Sequence, residues 1–222
     1  MAKSDTQLKH DICEELRWDP KVSSDKIFVH VFEGAVSLSG AVDTYAERLA
    51  AEEATKRVSG VRTVCQDLAV ELPAGHERID ADLLGAVQTA LTWNVFVPAG
   101  VTAHVKDGWV TLDGQVSWKF QRDAATNASR YLTGVTGVDN HITLKPQASA
   151  TQVKEKVLAA LQRQAIADAS SIQVDTLGGK VTLTGHASSW QAIEDAANAA
   201  WAAPGVTEVI DQVKREMTLG TP

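Results

Sequence analysis

Cysteine is scarce in this chain: Cys13 and Cys65 are the only two among 222 residues. They lack CxxC spacing and a neighbouring histidine cluster, which argues against metal or redox chemistry. They read as reduced residues standing in for small core side chains. Basic residues are never in excess. Residues 1–73 hold 13 acidic against 9 basic side chains, 74–146 hold 7 against 6, and 147–222 hold 8 against 6, for a formal net charge of −7. A nucleic-acid footprint or a polybasic membrane anchor needs the opposite balance. No apolar stretch approaches the roughly 20 residues of a bilayer-spanning helix. The opening residues Met1–His10 contain no apolar signal-like region. The chain as it stands is therefore expected in the cytoplasm, or in the periplasm if an export signal has been removed.

Catalytic patterns are missing as well. No G-x-S-x-G, Walker A or H-E-x-x-H pattern occurs. Gly178-Gly179 reads as a turn, without the lysine-serine ending of a phosphate loop. The acidic pairs Glu14-Glu15, Glu52-Glu53 and Glu194-Asp195 fall on expected helices as solvated faces. His30 and His104 share one offset, where Asp175 stands later in the chain, and read as the polar face of a strand rather than as converging ligands. The expectation is a protein that is not an enzyme, with no catalytic residue, no metal site and no cofactor.

What is present is a threefold repeat. Gly34–Gly40, Gly108–Gly114 and Gly179–Gly185 all spell G-x-V-[ST]-L-x-G. Twenty residues after each closing glycine stand Gly60, Gly134 and Gly205, followed by Val61, Val135 and Val206. Val64, Val138 and Val209 come three residues later, and Leu68, Ile142 and Val213 four beyond those. Ahead of each first glycine, apolar or small residues recur at every second position: Ile27, Val29, Val31; Val101, Ala103, Val105; Ile172, Val174, Thr176. Period two marks one buried face of a strand. The alternation resumes after the glycine, so each pair of runs reads as a β-hairpin, with Ser37, Thr111 and Thr182 as strand-surface hydroxyls.

Between the later glycines, small and apolar residues recur at helical spacing: Ala51, Ala54, Val58; Ala125, Ala128, Leu132; Ala196, Ala199, Ala203. A final strand follows each helix and should run parallel to the one before it. Its polar positions Gln66, Asn140 and Asp211 read as side chains bonding loop backbone at a sheet edge. Each repeat opens with an amphipathic helix on Leu8, Ile12, Leu16; Leu83, Val87, Leu91; or Val153, Val157, Leu161. Asp5, Asp80 and Asp82 suit the dipole of its first turn. The expected fold class is α+β: three tandem α-β-β-α-β units over residues 4–72, 79–145 and 150–216. Each is a small three-stranded mixed sheet packed on two helices, with linkers near Pro73–Gly75 and Pro146–Ser149.

The G-x-V-x-L-x-G hairpin, the alanine-rich helix and the G-V-x-x-V ending resemble the BON domain, named for bacterial osmotically inducible and nodulation proteins. The asparagine of that family's last strand is matched by Asn140, with Gln66 and Asp211 at the other two places. The resemblance implies a non-catalytic binding protein, taking phospholipid or a membrane-associated protein as partner in bacterial osmotic or envelope stress. It leaves two alternatives: a cytoplasmic potassium-ion sensor, and a protein-interaction scaffold or chaperone. The residues add one hint. Tyr45, Trp118, Phe120 and Trp190 cluster at the start of the second helix and are the candidate ligand-binding residues. Large amphipathic rings there suit a bilayer interface or a protein partner, and equally the sealing of contacts between adjacent repeats. Trp18 and Trp93 are expected to pack against the sheet, and Trp93–Pro98 forms a second candidate apolar patch.

Overall fold

A computed structural model describes residues 3–145, 153–163, 171–187 and 189–215. The chain packs as two compact units. One comprises residues 1–95, 102–112 and 125–141, the other residues 96–101, 113–124 and 142–222. The middle repeat contributes to both. The first repeat supplies α1 (Asp5–Trp18), β1 (Ile27–Phe32), β2 (Ala35–Val42), α2 (Tyr45–Arg57) and β3 (Thr63–Val70). The middle repeat supplies α3 (Asp80–Trp93), β4 (Thr102–Lys106), β5 (Trp109–Asp113), β6 (Gln115–Val116), α4 (Lys119–Arg130), β7 (Gly137–Asn140) and β8 (Thr143–Leu144). The third supplies α5 (Val153–Arg163), β9 (Ile172–Leu177), β10 (Lys180–Ala187), α6 (Trp190–Trp201) and β11 (Glu208–Arg215). The order α-β-β-α-β thus recurs three times, as the periodicity predicts. In the middle repeat two strands are broken, at Gly114 and at His141-Ile142.

Sheet order is β1-β2-β3 in the first repeat, β4-β5-β7 with a separate β6-β8 pair in the middle one, and β9-β10-β11 in the third. The hairpins β1/β2 and β9/β10 are antiparallel, and the helix returns the chain so that the last strand pairs parallel. Register is the same throughout. Val36 faces Val64, Val110 faces Val138 and Val181 faces Val209.

The core follows from the two periods. Leu8, Ile12 and Leu16 of α1 are at most 2% exposed, as are Val36, Leu38, Ala51 and Ala54. Each such large side chain contributes roughly 1.5–3 kcal/mol on burial. Leu83, Val87 and Leu91 repeat the pattern in α3, and Val157 is buried in α5, where the side chains of Val153 and Leu161 lie outside the described residues. The second helix departs from expectation in one respect. Its buried stripe in the middle repeat is Ala125 and Ser129, not Ala128 and Leu132. Thr55 takes the place of Ser129 in α2. Both hydroxyls donate to the carbonyl four residues back, Thr55 to Ala51 at 2.8 Å and Ser129 to Ala125 at 3.0 Å, and so lie in the core with their polar group satisfied. Cys13 packs partly buried against the first core, whereas Cys65 is exposed on β3 and fills no core position.

The repeated glycines have steric causes. A Cβ on Gly40 would stand 2.1 Å from the carbonyl oxygen of Lys26, and one on Gly185 would stand 2.0 Å from that of Ser171. Both glycines also have positive φ, +113° and +118°. At the turn itself Glu33 and Asp107 adopt left-handed backbone, with φ 48° and 53°. Asp5 and Asp80 hold these turns. The Asp5 carboxylate accepts from the N–H groups of Glu33 (2.9 Å) and Gly34 (3.3 Å), and Asp80 from those of Asp107 (2.8 Å) and Gly108 (3.0 Å). The two acids therefore clamp the first helix to the hairpin, beyond complementing a helix dipole.

A second clamp closes the first repeat. Arg57, at the end of α2, donates to Glu15 (3.0 Å) and Asp19 (2.8 Å). The guanidinium, helped by the Lys21 backbone N–H, holds the Asp19 carboxyl below the ordinary carboxylate range.

Two outcomes follow. Gly40→Ala is expected to lower stability to denaturant by at least about 3 kcal/mol. Gly75→Ala has a similar φ of +86° but no atom within 4 Å of the new Cβ, and is expected to lose only about 1 kcal/mol. Equal losses would mean that the Lys26 contact is immaterial. For Asp19 the sign is that of a depressed carboxyl: its contribution is complete above the unfolded value of about 3.9 and is lost as pH falls through the folded value. Asp19→Asn should therefore lie below the parent in stability at neutral pH and converge with it on acidification, read by urea titrations across that range.

Candidate functional site

The second helix of each repeat starts at a capped turn. Thr44 Oγ accepts from Glu47 N at 3.1 Å, and Ser189 Oγ from Ala192 N at 3.1 Å. The buried Glu47 carboxylate accepts in turn from Ser23 N (2.6 Å) and Asp43 N (2.9 Å). In the middle repeat Gln121 Oε1 does similar work, accepting from the N–H groups of Ser117 and Trp118 at 3.0 and 3.1 Å. These bonds fix the residues just inside the helix, where Tyr45, Lys119 and Trp190 occupy one equivalent position. Capping here is a matter of position.

Trp118 and Phe120 share one open cleft of about 350 Å³ within the second unit. Its other wall is the end of α6, with Asn198, Trp201 and Ala202. Lys119 Nζ sits 5.8 Å from the centre of the Trp201 ring, and the Arg122 guanidinium carbon 5.7 Å from it. A cation at this range is attracted by the ring's quadrupole, by about 0.5–1 kcal/mol at exposed sites. Lys119 is also ion-paired with Asp123. Phe120 meets Phe96 edge to face, with centroids 6.0 Å apart. Tyr45 lies elsewhere, in a cleft of about 130 Å³ within the first unit. That cleft is walled by the end of α4, including Arg130 and Tyr131. Arg130 stacks over Tyr131 at 4.9 Å, and its buried Nε has no hydrogen-bond acceptor among the described residues. Trp190 begins α6, and its side chain lies outside the described residues. Two of the four candidate rings therefore share a cleft, and Tyr45 lines a different one.

Two side chains essential to this geometry, Trp201 and Arg130, carry no signal in the apolar pattern. Their common trait is position: each stands four residues before the glycine that ends its helix. Trp18 and Trp93 also differ from expectation. Both are 84% exposed and do not pack on the sheet. The reason is angular: each follows the last buried leucine, Leu16 or Leu91, by two residues, about 200° around the helix. Val95 (88%) and Phe96 (59%) of the Trp93–Pro98 segment are exposed too. Gln66 and Asn140 bond the second helix rather than a loop. Gln66 Nε2 donates to the Arg48 carbonyl at 2.6 Å and its Oε1 accepts from Arg48 Nε at 3.1 Å, while Asn140 Nδ2 donates to Thr126 Oγ1 at 2.6 Å. Asp211 instead accepts from Val213 N on its own strand. Among the described residues, no three His, Cys, Asp or Glu side chains converge as metal ligands would.

No helix among the described residues is long and apolar enough to cross a membrane. No curated protein matches the chain in sequence. Among solved structures, the chain is similar to CdsD, a structural protein of the type III secretion system of Chlamydia trachomatis. Identity is 15% over 95% of this chain and 92% of that one, with a TM-score of 0.27. It is also similar to the periplasmic domain of the type III secretion inner-membrane protein PrgH from S. typhimurium. There identity is 13% over 87% of this chain and 94% of that one, with a TM-score of 0.23. Scores this low carry no argument. The family comparison is decisive instead: the BON domain matches at residues 4–71, 79–146 and 149–217. Those matches trace the same hairpin, helix and parallel strand that share one register in the structure, and the chain belongs to the BON-domain family.

Proposed function

We propose that this chain is a non-catalytic binding protein that attaches to phospholipid surfaces in bacterial osmotic or envelope stress. The observation that carries the reading is the pair Trp18 and Trp93, which end the first helices of two repeats and are each 84% exposed. An indole left in water at a helix end, with an apolar body and one N–H donor, suits the headgroup boundary of a bilayer. Val95, 88% exposed just past Trp93, extends the second of these points.

Charge does not favour attraction to anionic headgroups, since the chain carries −7 overall. Attachment would come from apolar contact, with weak dependence on salt. Of the helix-two rings Tyr45, Trp118, Phe120 and Trp190, the first two are the less suitable entry points. Tyr45 and Trp118 are half-buried in clefts walled by the following repeat.

Co-sedimentation with phosphatidylcholine vesicles tests this. An indole buries on the order of 150–250 Å², so half-insertion is worth roughly 2–3 kcal/mol at about 25 cal/mol per Å². Trp18→Ala and Trp93→Ala should each weaken binding at least about tenfold, with little change between low and high salt. Trp118→Ala/Phe120→Ala should leave it nearly intact. Absence of vesicle binding by the parent chain, or loss only in the Trp118/Phe120 variant, would overturn the assignment.

A further inference from the structure

Arg130 is a cation without a counter-charge. Its guanidinium lies 4.9 Å from the centre of the Tyr131 ring, and its buried Nε has no acceptor among the described residues. No carboxylate of the described residues pairs with it. The first repeat shows what such a partner looks like. There Arg57, at the end of α2, is held by Glu15 and Asp19, which flank the buried Leu16. The same offsets from Leu91 in the middle repeat give Ala90 and Asn94, so no carboxylate comes from that side. A buried N–H that has lost water and gained no acceptor is costly. Stacking on Tyr131 uses the face of the planar guanidinium and leaves its in-plane N–H donors for a ligand.

Arg130 lines the cleft of about 130 Å³ in the first unit together with Tyr45 and His76. Neither the Tyr45 hydroxyl nor the His76 imidazole bonds another described residue. Three side chains able to donate thus border one space. Its size suits a small oxyanion rather than a drug-sized ligand, which needs about 300–1,000 Å³. We propose that this cleft binds a phosphate group, with Arg130 as the anchor and Tyr45 and His76 as flanking donors. A phosphate group offers an acceptor oxygen to each of the three and meets arginine in bidentate fashion. A carboxylate has one oxygen too few. The site uses neither Trp18 nor Trp93 and stands apart from bilayer attachment. The same phosphate chemistry is presented by a soluble phosphate and by a lipid headgroup.

The Arg130 Nε–H gives its own NMR signal and reports the missing bond directly. Inorganic phosphate added to the full chain, at ionic strength held constant with sodium chloride, should shift that signal saturably. Half-saturation is expected on the order of 1–10 mM. Arg130→Lys keeps the charge but not the fork, and should weaken phosphate binding at least about fivefold, read from the backbone N–H shifts of Gly134 and Val135. Tyr45→Phe keeps the ring and should weaken it about threefold. Lys56→Gln, at the equivalent place in the first repeat, should leave it unchanged. Phosphatidylcholine vesicles then identify the source. Loss of vesicle binding in Arg130→Lys assigns the phosphate to a headgroup, and unchanged vesicle binding assigns it to a soluble ligand. A parent chain that binds phosphate but no vesicles also points to the soluble source, and defeats only the bilayer reading. An Arg130 Nε–H signal that phosphate does not move, or that chloride moves equally, overturns the proposal. So does Arg130→Lys binding phosphate like the parent.

Discussion

The carbonyl oxygen of Lys26 occupies the space that a side chain on Gly40 would need, and Ser171 does the same to Gly185. This close approach sets how the first strand of the hairpin lies over the second. Gly40 pairs with Ile27 across the hairpin and with Leu68 across the parallel ladder, so a single residue without a side chain joins three strands. With the crossing fixed, Val36 and Leu38 fall on the face that α1 and α2 cover, and Ser37 and Ser39 alternate with them. Shifting the pairing by one residue would reverse every side chain. The aspartate at the start of the first helix then holds the other end of the hairpin, where Glu33 and Asp107 sit in left-handed backbone that their own side chains disfavour.

Most of this was legible because each requirement falls on a fixed offset. A glycine where strands approach too closely, valine and leucine at period two, and alanine where a helix must come near a sheet recur at three places and identify one another. The exceptions have local causes. Ser129 and Thr55 were invisible to a search for apolar residues, because a hydroxyl bonded to its own helix can stand in the core. Trp18 and Trp93 looked like core residues by composition. Their position two residues past a buried leucine, however, turns them to the far side of the helix, and this could have been worked out from the sequence. The clefts at the helix ends were only half legible. Rings at the helix starts were visible, but Trp201 and Arg130 gain their meaning from a neighbouring repeat, and no local pattern within one repeat announces it.

The repeats differ least where they are buried and most at the ends of the second helix. Interior positions keep valine opposite valine in all three sheets. The helix starts, by contrast, are Tyr45, Lys119 and Trp190, and the helix ends are Lys56, Arg130 and Trp201. Burial constrains a side chain to one shape and volume, while a partly exposed helix end tolerates side chains of different size and charge. Divergence is therefore permitted at the helix ends without disturbing the fold.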